Sequence, residues 1–203
     1  MMLGMGELIL IRHGETEWSR SGQHTGRTDV PLTASGRAAA ARLGQALAGR
    51  PIVITLSSPA SRAVETAELA GLAALQLEPN LQEWDYGGYE GLTTAEIGRR
   101  QQGWYLWRDG VIAGDADHPG ETIDEVAARA DAVLATVTPV LTEGDVALVA
   151  HGHLLRVLGA RWLGLEPAAG RFLKLDTGTV SMLGFEHDEP VLSMWNVPPE
   201  ALE

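Results

Sequence analysis

Two runs of apolar residues in this chain end in histidines, and the first also ends in an arginine. Arg12-His13 follows the run 8–11, and His151 follows the run 146–150. Ligands of parallel α/β sheets bind beyond the carboxyl ends of the strands. An imidazole placed there can attack phosphorus and carry the phosphoryl group, while the arginine fork binds phosphoryl oxygens. These residue types therefore predict a site for a phosphate dianion.

A third apolar run, 52–56, leads to Ser58-Pro59, a pair typical of a helix N-cap followed by the first helical position. Arg62 then falls in the first turn of that helix. Helix N-termini after Ser58 and His151 would add backbone N–H donors to the same site. Phosphoryl transfer also needs a proton for the leaving alkoxide, which a nearby carboxylic acid could supply.

The elements that must position these side chains follow from the pattern of apolar residues. Buried strands are expected at 8–11, 52–56, 75–78 and 146–150, with a final hairpin at 179–186 and 191–196. Helices are expected at 34–48 behind an N-cap at Thr33, from Pro59 onward, and at 94–102, 123–141 and 153–162. The polar, Gly-rich segment 17–29 predicts a loop. Strands that alternate with helices predict an α/β fold, a three-layer sandwich with a mostly parallel central sheet flanked by helices.

The segment of about 80–120 differs from the rest because it is rich in aromatic residues and glycine. Three of the six tryptophans fall in it, namely Trp84, Trp104 and Trp107. Loops that carry such residues are commonly functional. We therefore expect a small cap insertion over the pocket, within a single domain that covers 1–203.

Composition excludes several classes of function. The net charge of −12 argues against nucleic-acid and anionic-membrane binding. The chain has no cysteine and no histidine pair at helical spacing flanked by carboxylates, so we expect no metal and no cofactor. Residues 1–6 lack the positive segment of a secretory signal, and no apolar stretch reaches membrane-spanning length. These features predict a cytoplasmic protein with a small-molecule partner, and they leave homodimer formation open.

The segment Leu10-Ile11-Arg12-His13-Gly14-Glu15-Thr16 resembles the Arg-His-Gly motif of the histidine phosphatase superfamily, the phosphoglycerate mutase-like group. The resemblance extends along nearly the whole chain through short motifs in the family's order. They are Thr25-Gly26, Leu32-Thr33 with Gly36, Ser57-Ser58-Pro59, Arg62-Ala63, Thr66-Ala67, Leu81-Gln82-Glu83, Tyr89-Glu90-Gly91 and Ala150-His151-Gly152. Each motif is weak alone, but their order and spacing together are specific.

The resemblance implies a metal-free mechanism with defined roles. His13 would be the phosphorylated nucleophile, and Glu83 would be the proton donor and then the base that activates water. Arg12, Arg62 and His151 would form the phosphate pocket. Substrate contacts would further include Ser19, Thr25, Gly26 and Gly152. Three other carboxylates near Glu83 remain alternatives for the acid: Glu15, Asp85 and Glu90. The other histidines, His24, His118, His153 and His187, are expected to be bystanders.

Departures from the mutase pattern favour the small acid phosphatase branch. Ser19 follows Trp18 where the mutases carry asparagine, and the cap lacks the mutases' Arg-Arg pair at the matching place. Arg99-Arg100 and Arg108 are the nearest substitutes. We therefore expect hydrolysis of small phosphate monoesters. Alternatives are a cofactor-dependent phosphoglycerate mutase and, from another class, an inactive module that binds phosphate or a phosphopeptide.

Overall fold

A computed structural model describes residues 5–202 and contains one six-stranded sheet with the order β3-β2-β4-β1-β5-β6. The strands are β1 Leu8–Arg12, β2 Ile52–Ser57, β3 Leu75–Leu77, β4 Asp145–Ala150, β5 Val180–Glu186 and β6 Glu189–Val197. Strands β1 to β4 pair in parallel, whereas β5 pairs antiparallel with both β1 and β6. The expected α/β fold with a mostly parallel sheet is confirmed, and the closing hairpin lies at the sheet edge as predicted.

Alternation along β1 shows why the sheet is covered on both faces. Leu8 and Leu10 belong to one apolar cluster, which the helices on that side complete. Ile9 and Ile11 belong to a second cluster on the opposite face. All four side chains are fully buried, as expected for a central strand that has helices on both sides.

The helices are α1 Glu17–Ser21, α2 Ala34–Ala46, α3 Ser61–Leu69, α4 Thr94–Arg100, α5 Leu106–Asp109, α6 Ile123–Val137 and α7 Gly152–Trp162. Thr33, Thr93 and Thr122 each cap a helix through a side-chain oxygen. Such caps are worth about 0.5–2 kcal/mol each, and they fix where the chain enters α2, α4 and α6.

Three predicted boundaries are wrong for identifiable reasons. The predicted loop at 17–29 begins with α1, because Thr16 and Ser19 form a reciprocal capping box that polar residues alone did not reveal. The helix expected from Pro59 starts at Ser61 behind Ala60 instead. The helix expected to reach residue 141 ends at Val137 and continues as a 3-10 turn, where Pro139 has no N–H to donate.

The cap segment packs its tryptophans inward. Trp84, Trp104 and Trp107 are all buried, and the Trp84 and Trp107 rings meet edge to face with centroids 5.9 Å apart. Within residues 5–202, no helix is long and apolar enough to cross a membrane.

Candidate active site

The carboxyl ends of β1, β2 and β4 meet at one edge of the sheet. Arg12 pairs with Ala150, and the His13 N–H donates to the Ala150 carbonyl at 3.0 Å. The Ser58 N–H donates to the Val149 carbonyl at 2.9 Å. These backbone hydrogen bonds place His13, Ser58 and the start of α7 at the same edge of the sheet.

The side chain of His13 is fixed in one tautomer. Its Nδ1 lies 2.7 Å from the Gly14 carbonyl oxygen, which can only accept, so Nδ1 carries the proton. Nε2 therefore keeps its lone pair, and nothing among residues 5–202 hydrogen-bonds to it. Position 14 requires glycine because a Cβ there would lie 2.6 Å from the Gly36 carbonyl oxygen. The geometry presents Nε2 as a nucleophile.

Electrostatics keep that imidazole neutral. Burial and the neighbouring guanidinium groups of Arg62 and Arg12 hold the pKa of His13 well below its usual value. A neutral imidazole is the form that can attack phosphorus. The same surroundings favour an incoming dianion, because it would offset two buried positive charges.

His151 faces His13, with ring centroids 5.1 Å apart. Its Nδ1 accepts from Arg62 Nε at 3.3 Å, so Nε2 carries the proton and donates to Ser58 Oγ at 2.8 Å. Burial and the charge of Arg62 hold the pKa of His151 well below its usual value. Ser58, expected to cap a helix, thus orients His151 and takes its one N–H, so contact of His151 with phosphate stays a prediction.

Arg62 and Arg12 differ in how their guanidinium groups are used. Arg62 is fully buried and donates to the carbonyls of Thr28 and Gly26, each at 3.0 Å. Arg12 donates Nη1 to the Leu175 carbonyl at 2.5 Å, while its buried Nε has no partner among residues 5–202. The unpartnered Nε of Arg12 is a donor that an anion could use, and direct contact of Arg62 with phosphate stays a prediction.

Glu83 alone among the four candidate acids lines the cavities at this edge of the sheet. Its Oε1 accepts from the N–H groups of Trp84 and Leu154, both at 2.9 Å, and Oε2 accepts from the His153 N–H at 3.0 Å. The first turn of α7 thereby holds the carboxylate in place.

The three other carboxylates line neither cavity. Glu15 accepts from the Thr33 hydroxyl at 2.8 Å, and Asp85 accepts from the Gly87 N–H at 2.9 Å. Glu90 accepts from the Gly26 N–H at 2.9 Å and so organises the phosphate-side loop. Geometry therefore favours Glu83 as the acid.

A partly buried ion pair fixes the segment that carries Glu83. Arg129 binds Glu121 through two bonds of 2.8 Å and donates to the carbonyls of Asn80 and Gln82, each also at 2.8 Å. Glu121 belongs to a Pro-Gly-Glu-Thr segment between the cap and α6. Through Arg129 it fixes the backbone that leads to Glu83.

The predicted site residues divide between two neighbouring cavities that share Glu83. A cavity of about 180 Å³ is lined by Arg12, His13, Ser19, Thr25, Glu83 and Gly152, among others. A second cavity of about 190 Å³ is lined by Gly26, Ser58 and His151. Arg62 lies behind them and lines neither. The Ser19 hydroxyl is already engaged with the backbone of Thr16, so its expected substrate contact stays a prediction.

The sequence reasoning missed a group of side chains at the other end of the 180 Å³ cavity: His24, Tyr86, His153 and Arg156. Tyr86 Oη lies 2.6 Å from His153 Nδ1. Burial raises the pKa of Tyr86 well above its usual value, so the phenol keeps its proton and donates it. His24 and His153 thus line the pocket, and their expected role as bystanders to the chemistry stays a prediction. Helical spacing from Gly152 was the signal that could have found Arg156.

Low pH should destabilise this site, and His24 allows the effect to be measured. Burial lowers the pKa of His24 to about 4, whereas an unfolded imidazole titrates at about pH 6.5. Between these values the unfolded chain binds more protons than the folded one, so acidification lowers the unfolding free energy. The limit is about 1.4 kcal/mol per pH unit for each such histidine.

We expect His24→Asn to flatten the fall in unfolding free energy between about pH 6.5 and 4.5, measured by urea unfolding. His187→Asn is the matched control, because His187 lies at the exposed turn of the hairpin and tolerates the same substitution at its positive φ. An equal pH dependence in the wild type and His24→Asn would contradict the expectation.

Across residues 5–202, no group of three or more histidine, aspartate or glutamate side chains could hold a metal ion. The site consists of a neutral imidazole, a second imidazole oriented by Ser58, an arginine with a free donor and a fixed carboxylate. Together with the sheet, these features define an α/β protein of the phosphoryl-transfer class.

Comparison with known proteins gives the family. The model of the histidine phosphatase superfamily (branch 1) matches residues 8–198, and the chain belongs to that family. An acid phosphatase from Mycobacterium tuberculosis is 42% identical over 184 residues, which cover 89% of this chain and 87% of the relative. The chain is a phosphatase-type hydrolase.

Two further relatives match nearly the whole chain. A solved structure of an open reading frame product from Mycobacterium tuberculosis has a TM-score of 0.89 at 38% identity, covering 96% of this chain and 98% of that one. A Salmonella choleraesuis protein named "Probable phosphoglycerate mutase GpmB" is 32% identical over 201 residues, 95% of this chain and 91% of the relative. The relatives therefore include proteins named as phosphatases and proteins named as mutases.

Proposed function

We propose that this protein hydrolyses small phosphate monoesters through a phosphohistidine intermediate, without a metal ion. The observation that carries the proposal is the tautomer of His13, whose Nδ1–H is bound to Gly14 while Nε2 is free in a cavity shared with Arg12 and Glu83. This arrangement supplies a nucleophile, a cation for phosphoryl oxygens and a proton donor at one place.

The reaction has two steps. In the first, His13 Nε2 attacks phosphorus, the bond from phosphorus to the ester oxygen breaks, and protonated Glu83 gives its proton to the leaving alkoxide. In the second, the Glu83 carboxylate takes a proton from water as the water oxygen attacks phosphorus. The bond from phosphorus to Nε2 breaks, and inorganic phosphate leaves. Arg12 holds the phosphoryl oxygens throughout, and the His151 N–H would exchange its bond to Ser58 for one to a phosphoryl oxygen.

Hydrolysis is favoured over the mutase reaction by the place of the cap arginines. A mutase must hold its bisphosphate while the molecule reorients, which needs a second anchor and a site closed to water. Arg99 and Arg100 are exposed on α4, and Arg108 binds Asp109 at the surface. None of the three lines the cavity that contains His13.

A cytoplasmic location and a small-molecule partner belong to the same proposal, and homodimer formation stays open.

The proposal is tested by measuring two reactions side by side. We expect phosphate release from several monoesters, and p-nitrophenyl phosphate among them, to exceed the isomerisation of 3-phosphoglycerate primed with 2,3-bisphosphoglycerate. Both assays are run with and without EDTA, and phosphate release should be the same in each.

Isomerisation faster than phosphate release would overturn the assignment as a hydrolase. Loss of activity in EDTA that zinc or magnesium restores would overturn metal independence. Binding of phosphate esters without any turnover would favour the inactive binding module.

A further inference from the structure

The edge strand β6 carries a β-bulge at Trp195 and Asn196, where two residues of β6 lie opposite one residue of β5. On either side of it the strands pair as Val180 with Val197 and as Met182 with Met194. Asn196 has a φ of 57°, in the left-handed region that residues other than glycine rarely adopt. Bulges are common beside functional sites, where they redirect side chains, so the contacts of these two side chains matter.

Both side chains of the bulge bind the loop 174–176. The Trp195 indole Nε1 donates to the Lys174 carbonyl at 2.6 Å. Asn196 Oδ1 accepts from the Asp176 N–H at 2.7 Å, and Asn196 Nδ2 donates to Asp176 Oδ2 at 3.0 Å. These partners fix the orientation of the amide, because only an oxygen can accept from the N–H and only an NH2 can donate to the carboxylate. The loop is therefore bound to β6 on both sides of Leu175.

Leu175 connects this loop to the phosphate pocket. Its side chain is buried in the core, and its carbonyl accepts from Arg12 Nη1 at 2.5 Å. Within residues 5–202, this carbonyl is the one hydrogen-bond partner of the Arg12 side chain, whose buried Nε has none. The direction of the Arg12 guanidinium, and of its Nε, therefore depends on where the loop holds the Leu175 carbonyl.

The backbone conformation of Asn196 indicates that these contacts are needed. Residues 173–176 belong to no helix or strand, so no backbone ladder fixes their carbonyl groups. A left-handed residue other than glycine carries a free-energy cost and persists where the surrounding structure requires it. Glycine at position 196 would relieve the backbone, but it has no side chain that could bind Asp176. The amide is the feature that explains asparagine at this position.

We propose that Asn196, together with Trp195, is a positioning residue for Arg12. The bulge holds the loop on both sides of Leu175, and the Leu175 carbonyl directs the guanidinium toward the phosphoryl group. This inference rests on the proposed function, because the phosphate must lie at Arg12. Neither residue of the bulge lines the cavity of His13, so both act through Arg12 rather than by contact with substrate.

The main variant is Asn196→Gly. Glycine adopts the left-handed φ and keeps the backbone N–H that donates to Ser181 Oγ, whereas the side-chain bonds to the loop are lost. We expect the inhibition constant of inorganic phosphate to rise by about tenfold, the scale of one hydrogen bond to a charged group. We also expect kcat/KM to fall by a similar factor on p-nitrophenyl phosphate and on glycerol 3-phosphate, because Arg12 holds oxygens that both esters share.

His187→Gly is the matched control for Asn196→Gly. It places glycine at another left-handed position of the same hairpin, at the exposed turn, and should leave the phosphate inhibition constant unchanged.

Trp195→Phe tests the other side chain of the bulge, because it removes the bond to Lys174 and keeps an aromatic ring. The phosphate inhibition constant should rise by about threefold or more, the scale of one neutral hydrogen bond. Trp162→Phe is the control for this variant, because it removes an indole bond to the Val191 carbonyl on the same strand.

A cycle of double variants shows whether Asn196 acts through Arg12. Arg12→Lys keeps a positive charge but removes the guanidinium that the Leu175 carbonyl directs. In the Arg12→Lys background, Asn196→Gly should change the phosphate inhibition constant by less than about twofold. A merely structural role of Asn196 predicts the same loss in both backgrounds.

Two results would overturn the inference: a phosphate inhibition constant that Asn196→Gly leaves unchanged, or an equal loss in the Arg12→Lys background. If Asn196→Gly does not fold, the same comparisons are made with Trp195→Phe. Turnover of p-nitrophenyl phosphate separates the two proposals. An active wild type whose phosphate inhibition is the same in the bulge variants contradicts this inference alone, whereas an inert wild type contradicts the proposed function as well.

Discussion

His13→Ala is expected to lower kcat for p-nitrophenyl phosphate by about a thousandfold or more. The substitution removes the atom that we propose as the nucleophile toward phosphorus, and loss of a covalent nucleophile costs several orders of magnitude. The remaining site should still bind an anion, because the unpartnered Nε of Arg12 is untouched. Rates are measured by release of p-nitrophenol and binding by inhibition with orthovanadate or by calorimetry with phosphate.

The control for this variant is His187→Asn, at an exposed turn remote from the cavity. Circular dichroism and the thermal midpoint establish that the fold of His13→Ala is intact, since the substitution also removes the hydrogen bond to Gly14. If His13→Ala retains more than about a tenth of the wild-type rate, His13 is not the nucleophile.

Glu83→Gln is expected to separate two kinds of substrate. General acid catalysis contributes about a hundredfold to ten thousandfold, and an alkoxide needs it far more than p-nitrophenolate does. We therefore expect the rate on glycerol 3-phosphate to fall by about a thousandfold. The rate of the first step on p-nitrophenyl phosphate should fall by about tenfold or less. Single-turnover kinetics measure that first step separately from hydrolysis of the intermediate.

The structure also shows what Glu83→Gln would disturb. The carboxylate accepts three backbone N–H bonds, and a glutamine amide nitrogen would face one of those donors. An unmet buried donor costs about 1–3 kcal/mol, so unfolding by urea accompanies the kinetics. Glu15→Gln is the matched control, because its oxygen can still accept from Thr33. Equal losses on both substrates would assign Glu83 to positioning α7 rather than to proton transfer.

Much of the frame of this site could be predicted from the sequence because it depends on local patterns. Apolar runs ending in Arg12-His13 and His151 identified two central strands and the polar side chains at their carboxyl ends. The rule that parallel strands share a carboxyl edge then brought them together. Capping boxes at Thr93 and Thr122 located two helix starts for the same reason, since every participant lies within four residues.

The features that could not be predicted depend on contacts between distant segments. Ser58 reads locally as a helix cap, yet its hydroxyl is used by His151, which is 93 residues away. Arg62 reads as a free phosphate ligand, but the loop that carries Gly26 and Thr28 supplies carbonyls to its guanidinium. Spacing alone does not fix such partners.

The most direct test is to trap the phosphorylated enzyme during turnover. Wild-type protein is mixed with p-nitrophenyl phosphate, quenched in alkali to preserve acid-labile phosphate, digested and examined by mass spectrometry. The mechanism predicts one phosphate on the peptide that contains His13, formed at least as fast as turnover and absent from His13→Ala. Phosphate on another residue, or turnover with no covalent phosphate on the protein, would contradict it.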